Sequence, residues 1–226
     1  MSERAFIDHH YNGGTAQSDF FTKSFSFVSR FFNLKTFVPV RGDGNCFVNA
    51  TAAGLLNKIH KDASYLGKLT SIIEAYEASP NIYVQKDLGA QEEHHTNFYK
   101  ASDFLQVLQK LKTQDPKTLF NDDLFNAAFT RILRYILSHS APKDAVSLRC
   151  GTEIDATAVW DLRKIFDIDA KVAVIEGATP ADSQGPEAFL LVHGEMDQSI
   201  ISKKDKSLQT AEFVILRKSG HFVCAY

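Results

Sequence analysis

The run Arg41-Gly42-Asp43-Gly44-Asn45-Cys46-Phe47 decides how this chain reads. Gly, Asp and Asn favour tight backbone reversals, and Asp43, Gly44 and Asn45 ahead of a cysteine would be odd choices merely to bury a thiol. Directly after the turn, Ala50, Ala53 and Gly54 give a helix running to about His60 a face of small residues, suited to close packing against its neighbours. The turn therefore delivers Cys46 to a helix N-terminus. There the unpaired backbone N–H groups and the macrodipole favour a thiolate, and the same N–H groups can hold an oxyanion. Far along the chain, Ser219-Gly220-His221-Phe222 presents an imidazole beside a turn between two strand-like segments, a rigid place from which to aim a base.

Outward from the turn, residues 36–40 look extended. Before them Phe21, Phe25, Val28 and Phe32 recur at helical spacing after Ser18, a predicted cap. That aromatic stripe reads as core packing. Residues 1–17, with His9-His10 and Gly13-Gly14, read as a loose arm. Downstream, Tyr65, Leu69, Ile72, Ile73 and Tyr76 predict a second helix, Phe104, Leu105, Leu108 and Leu111 a third closed by Asp115-Pro116, and Leu124 to Ile136 a fourth. The pattern changes after Asp155. A helix through Val159, Leu162, Ile165 and Phe166 leads to predicted strands at 171–176, 188–193 and 211–217, with 222–226 as the return of a terminal hairpin. Helices first and strands later predict an α+β fold, with a helical first half on a small, mostly antiparallel sheet. Residues 1–35 are read as an arm and helix packed on a single domain formed by 36–226.

Composition narrows the function classes. The 226 residues are 44% hydrophobic and 23% charged, enough for one substantial core, and the net charge is −2 without a Lys/Arg stripe. A binder that neutralises phosphates is not expected, so no nucleic-acid partner is assigned. Cys46, Cys150 and Cys224 are an odd set without metal-type pairing, which predicts neither a disulfide framework nor a metal site, and no cofactor is expected. No apolar run approaches the ~20 residues that span a bilayer. The expected location is the cytoplasm, with no membrane partner and a monomeric state.

Each signal has a plain competitor. Free cysteines are commonly just packed, and a lone histidine is more often a hydrogen-bonded structural residue than a base. His9, His10, His60, His94, His95, His139 and His193 have no partner spacing and read as surface or satisfied residues. His94-His95 would make poor paired ligands on a helix, because neighbours point apart.

Taken together, Gly-Asp-Gly-Asn-Cys-Phe at 42–47 and Ser-Gly-His-Phe-Val-Cys-Ala-Tyr at 219–226 resemble the ovarian-tumour (OTU) family of deubiquitinating cysteine proteases, nearest to its otubain-like branch. The resemblance runs over roughly residues 36–226. It implies a papain-like fold and a thiol-dependent ubiquitin hydrolase: Cys46 attacks the isopeptide carbonyl at the ubiquitin C-terminus, and His221 moves the proton. Asp43 matches the acidic residue that shapes the oxyanion loop. Glu153 and Asp155 match a region that faces bound ubiquitin, and ubiquitin and polyubiquitin are the implied partners.

One position departs from the family. Otubain-like enzymes place an acid two residues after the histidine, and here that position is Val223. Valine cannot hold an imidazole tautomer. Some relatives draw the orienting acid from upstream of the cysteine, which leaves Asp43 as the preferred candidate, Asp19 as the alternative, and Asp8 as a third. The alternative function is a catalytically weak ubiquitin-binding or partner-blocking module on the same fold. The features fit a host regulator or a bacterial effector acting in the host cytoplasm, and no residue separates the two.

Overall fold

The strand-like segments of the second half are apolar at alternating positions on both faces, so each must be covered twice. The computed structural model describes residues 1–3, 5, 16–40, 44–77, 83–85, 98–100, 108–140, 154–175, 189–194, 197–201, 206–218 and 221–226. In chain order the elements are α1 (Ala16–Phe32), β1 (Phe37–Val38), α2 (Cys46–Lys61), α3 (Tyr65–Glu77), β2 (Tyr83–Gln85), β3 (Phe98–Lys100), α4 (Pro116–Phe120), α5 (Asp123–Ser140), α6 (Val159–Phe166), β4 (Ala170–Val174), β5 (Phe189–Gly194), β6 (Asp197–Ile201), β7 (Phe213–Lys218) and β8 (His221–Ala225). One six-stranded sheet runs β1-β8-β7-β4-β5-β6. Its pairs are antiparallel except β4 with β7.

Pleating sorts the strand residues into two cores. Val172, Val174, Phe213, Ile215, Phe222 and Cys224 meet α2, α3, α5 and α6 on one side. Ala173, Leu191, Val214, Leu216, Val223 and Ala225 meet Phe25, Val28, Phe31 and Phe32 of α1 on the other. Phe25, Val28 and Phe32 of the aromatic stripe are therefore core, as their spacing implies, while the side chain of Phe21 lies outside the described residues, and α1 packs on this face of the sheet. Each fully buried Phe contributes about 1.5–3 kcal/mol by removal from water.

Local chemistry sets the helix ends. Asp122 Oδ1 accepts from Phe125 N at 3.0 Å and caps α5. Helix α6 stops at Asp167, whose φ of 49° is left-handed. Tyr65 O–H donates to Phe166 O at 2.7 Å, tying the start of α3 to the end of α6. Its phenol is pushed up by burial, with Glu212 and Asp167 adding to the shift.

The structure differs from the sequence expectations in several places. The first half is not purely helical, because β2 and β3 form a two-stranded antiparallel ladder, Tyr83 opposite Lys100. Three-residue strands are too short to register against flanking helical periodicity. Strand β6 was not expected either; it is an edge strand whose Asp197, Gln198 and Ser199 break the apolar alternation, and Ile200 is exposed. The segment through Leu108 and Leu111 has ended before Asp115-Pro116, and Pro116 in addition opens α4, since proline at the first helical position loses no hydrogen bond. Helix α1 begins two residues before Ser18. Of the helix expected over 104–111, only 108 onward lies within the described residues, ending in a 3₁₀ turn at Lys110–Lys112.

Helix α2 reaches the sheet through Gly54. A Cβ there would lie 2.6 Å from ring atoms of Phe213. Gly54→Ala is expected to lower stability by about 1–3 kcal/mol through overpacking, in spite of the better helix propensity of alanine. Urea unfolding checks this, and a more stable Gly54→Ala protein would show that the helix is free to move outward.

Candidate active site

Cys46 is the first residue of α2 and is 3% exposed. The backbone reaches it through Gly44, at φ 75°, and Asn45, the N-cap, whose carbonyl accepts from Asn49 N at 2.8 Å. A positive φ is the conformation for which glycine is needed here. The Gly44 carbonyl accepts from Arg134 Nη2 of α5 at 3.2 Å. Helix α5 is joined to α2 again where Thr130 Oγ1 donates to Asn49 Oδ1 at 2.7 Å.

His221 opens β8, half-buried, opposite Lys218 of β7. The next residue, Phe222, meets Phe47 edge to face with ring centroids 5.2 Å apart. Cys46 and His221 each stand one residue before a member of this aromatic pair. Such a contact is worth ~0.5–1.5 kcal/mol beyond burial, and it holds the helix start against the strand start. The fold thus joins two segments from opposite ends of the chain at one place. Arg217 lies over the Phe222 ring, its guanidinium carbon 5.8 Å from the centroid.

Asp155 caps the 3₁₀ turn Ala156–Ala158 by accepting from Thr157 N at 2.8 Å. Burial would raise its carboxyl, but the Thr157 hydrogen bonds and the charge of Arg217 outweigh this and hold it below the usual carboxylate range. Through Arg217, Asp155 belongs to the same end of the sheet as Phe222. Asp8, Asp43 and Glu153 lie outside the described residues, and Asp19 falls within α1 with its side chain outside them.

Val223 is 3% exposed and packs in the α1-side core. Residues i and i+2 of a strand share a face, which is why an acid at this position could reach an imidazole at 221. Here the position is apolar because α1 covers it. Cys224 is buried, and burial pushes its thiol up, away from thiolate chemistry.

The sequence reading passed over Arg131 and Arg134, which are 5% and 1% exposed. Both sit on α5 among buried Thr130, Ile132, Leu133 and Ile136. Nothing in their spacing distinguishes a buried arginine from one on a solvated helix face. Asn49 and Thr130 were missed for the same reason.

Two other histidines have partners. His60 Nδ1 is 3.6 Å from Asp115 Oδ1, and His193 Nε2 is 3.0 Å from Ser199 Oγ. His9, His10, His94 and His95 lie outside the described residues, as does the side chain of His139. Burial, with Lys171 and Arg163 adding repulsion and Asp197 and Asp169 opposing it, holds the His193 imidazole below its ordinary range. The unfolded chain then takes up a proton near pH 6.5 that the folded chain takes up only at lower pH, so this group's stability is lost as pH falls below about 6.5. His193→Gln should flatten the dependence of the urea midpoint between about pH 7.5 and 5.5; equal slopes in the two proteins would remove His193 as its source.

Among the described residues no three His, Cys, Asp or Glu side chains gather as a metal-binding group, and no helix is long and apolar enough to cross a membrane. A cleft of about 480 Å³ along α6, lined by Trp160, Arg163, Asp169 and Gly194 among others, includes neither Cys46 nor His221.

No family model matches the chain. No curated protein matches it in sequence. Solved structures do match. The complex of h/ceOTUB1 with ubiquitin aldehyde and UBCH5B~Ub superposes with a TM-score of 0.65 at 17% identity, covering 100% of this chain and 88% of that one. The corresponding complex with UBC13~Ub gives 0.63 at 17% identity with the same coverage. A ceOTUB1 complex with ubiquitin aldehyde and UBC13~Ub gives 0.62 at 18% identity, covering 100% and 91%. At this identity the likeness is one of fold, and it extends over the whole chain.

Proposed function

This chain carries an otubain-like OTU fold, papain-like and α+β, and on that premise we propose that it is a thiol-dependent deubiquitinase that cleaves isopeptide bonds of ubiquitin or polyubiquitin. The observation that carries the reading is the Phe47–Phe222 contact, which sets the segment that begins at Cys46 against the segment that begins at His221. The structural neighbours are complexes with ubiquitin aldehyde, a C-terminal aldehyde of the kind a nucleophilic thiol captures, which supports ubiquitin as the partner.

In this mechanism His221 takes the thiol proton, and the Cys46 thiolate attacks the carbonyl of the terminal glycine. Negative charge develops on the carbonyl oxygen and is met by backbone N–H groups at the turn, among them that of Cys46. The intermediate collapses by breaking the C–N bond, with the proton passing from His221 to the leaving lysine amine. A water, deprotonated by His221, then attacks the thioester, releasing the ubiquitin carboxylate and the thiol. Asp43 is assigned to the oxyanion turn and as the preferred orienting acid, with Asp19 as the alternative. Glu153 and Asp155 are assigned to the ubiquitin-facing surface. The cytoplasm, or the host cytoplasm for a bacterial effector, is the proposed place of action.

A second reading, a ubiquitin-binding module with weak catalysis, is favoured by one observation: the buried Val223 where an orienting acid would stand. Reaction with a ubiquitin probe carrying a thiol-reactive C-terminal warhead, run beside Cys46→Ala, separates them. A covalent adduct lost in Cys46→Ala supports the hydrolase. Binding without an adduct moves the assignment to the module.

A further inference from the structure

We infer that Arg134 is a positioning residue for the oxyanion-binding turn ahead of Cys46, an inference that rests on the cysteine-hydrolase reading above. Its side chain is 1% exposed, and Nη2 donates to the Gly44 carbonyl at 3.2 Å. A peptide unit is planar and trans, so the Gly44 C=O and the Asn45 N–H point in opposite directions. Whatever holds that carbonyl also aims that N–H. The constraint matters at this peptide because glycine, here at φ 75°, offers little steric resistance to rotation. A flipped Gly44–Asn45 unit would present a carbonyl dipole where a donor belongs.

The guanidinium is well mounted for this task. Thr130, one turn before Arg134 on α5, donates to Asn49, one turn after Cys46 on α2, at 2.7 Å. A buried hydrogen bond therefore clamps the helix that carries the arginine to the helix that carries the thiol. The cation also polarises the peptide it holds, which strengthens the Asn45 N–H as a donor, most of all where water is scarce. Lysine could supply the charge but not the planar fork.

The test uses the full chain as wild type, Arg134→Lys and Arg134→Met, with Leu137→Ala, a fully buried position on the same helix, as the folding control. Turnover is read on a ubiquitin C-terminal fluorogenic amide. Affinity is read for ubiquitin aldehyde, whose hemithioacetal oxygen occupies the oxyanion position, and for plain ubiquitin. Arg134→Met should lower kcat by about 10–100-fold with KM nearly unchanged, and weaken the aldehyde by a similar factor while sparing plain ubiquitin. Arg134→Lys should fall between. Leu137→Ala should lower Tm yet keep the ratio of aldehyde to ubiquitin affinity. Wild-type kcat and aldehyde affinity in Arg134→Met, or the same losses in Leu137→Ala, overturn the inference. If wild type neither turns over nor captures the aldehyde, the hydrolase reading fails instead, and the Asn45 amide resonance then decides the positioning: a shift in Arg134→Met supports it, an unchanged resonance overturns it.

Discussion

His221→Gln is expected to reduce kcat on a ubiquitin C-terminal amide by about 10³-fold or more, because removing either the base or the nucleophile of such a pair disables both. Cys46→Ala should abolish hydrolysis while plain ubiquitin still binds, since only the reacting atom is lost. Glutamine keeps a hydrogen-bonding group at the start of β8, and the Phe47–Phe222 contact that places it is untouched. The measurement is kcat together with ubiquitin affinity for both variants. Near wild-type turnover in His221→Gln would remove the imidazole from the mechanism, and hydrolysis surviving in Cys46→Ala would remove the thiol.

Phe189→Ala is expected to cost about 3–5 kcal/mol, a large share of the 5–15 kcal/mol that holds a domain folded. The ring is fully buried, with centroids of Phe27, Phe31 and Phe32 at 5.8, 5.6 and 6.0 Å. It is where α1 meets the sheet. If the loss is this large, residues 1–35 act as half of one core and not as a detachable arm, and deleting them should leave Leu191, Val214, Leu216 and Val223 uncovered and the protein insoluble. Urea unfolding gives the free energy, and a loss below about 1 kcal/mol would show that α1 contributes little.

The same roof accounts for Val223. Strand β8 reads in sequence as a plain alternation after His221, and nothing in that alternation says which face carries a polar partner for the ring and which is sealed. Helix α1 seals the face of Val223 and Ala225. An acid at 223 would there be a buried charge, costly unless paired. Arg134 illustrates the converse: a charge whose spacing along the helix does not mark it as buried is enclosed, with Nη2 donating to the Gly44 carbonyl.

By itself the sequence determined what depends on neighbours along the chain. The approach through Gly44 and Asn45 to the start of α2 at Cys46, the spacing of Phe25, Val28 and Phe32, and the alternation of β4, β5, β7 and β8 all follow from backbone preference and from periods of 3.6 and 2. Only the tertiary structure decided which of those faces meet. It set β4 parallel to β7, paired β2 with β3 and β5 with β6, put Phe47 against Phe222, and buried Arg134 over Gly44. Local conformation is fixed by a few adjacent dihedrals, whereas burial and partnership depend on residues brought together from opposite ends of the chain, and no local pattern encodes which distant surface will arrive.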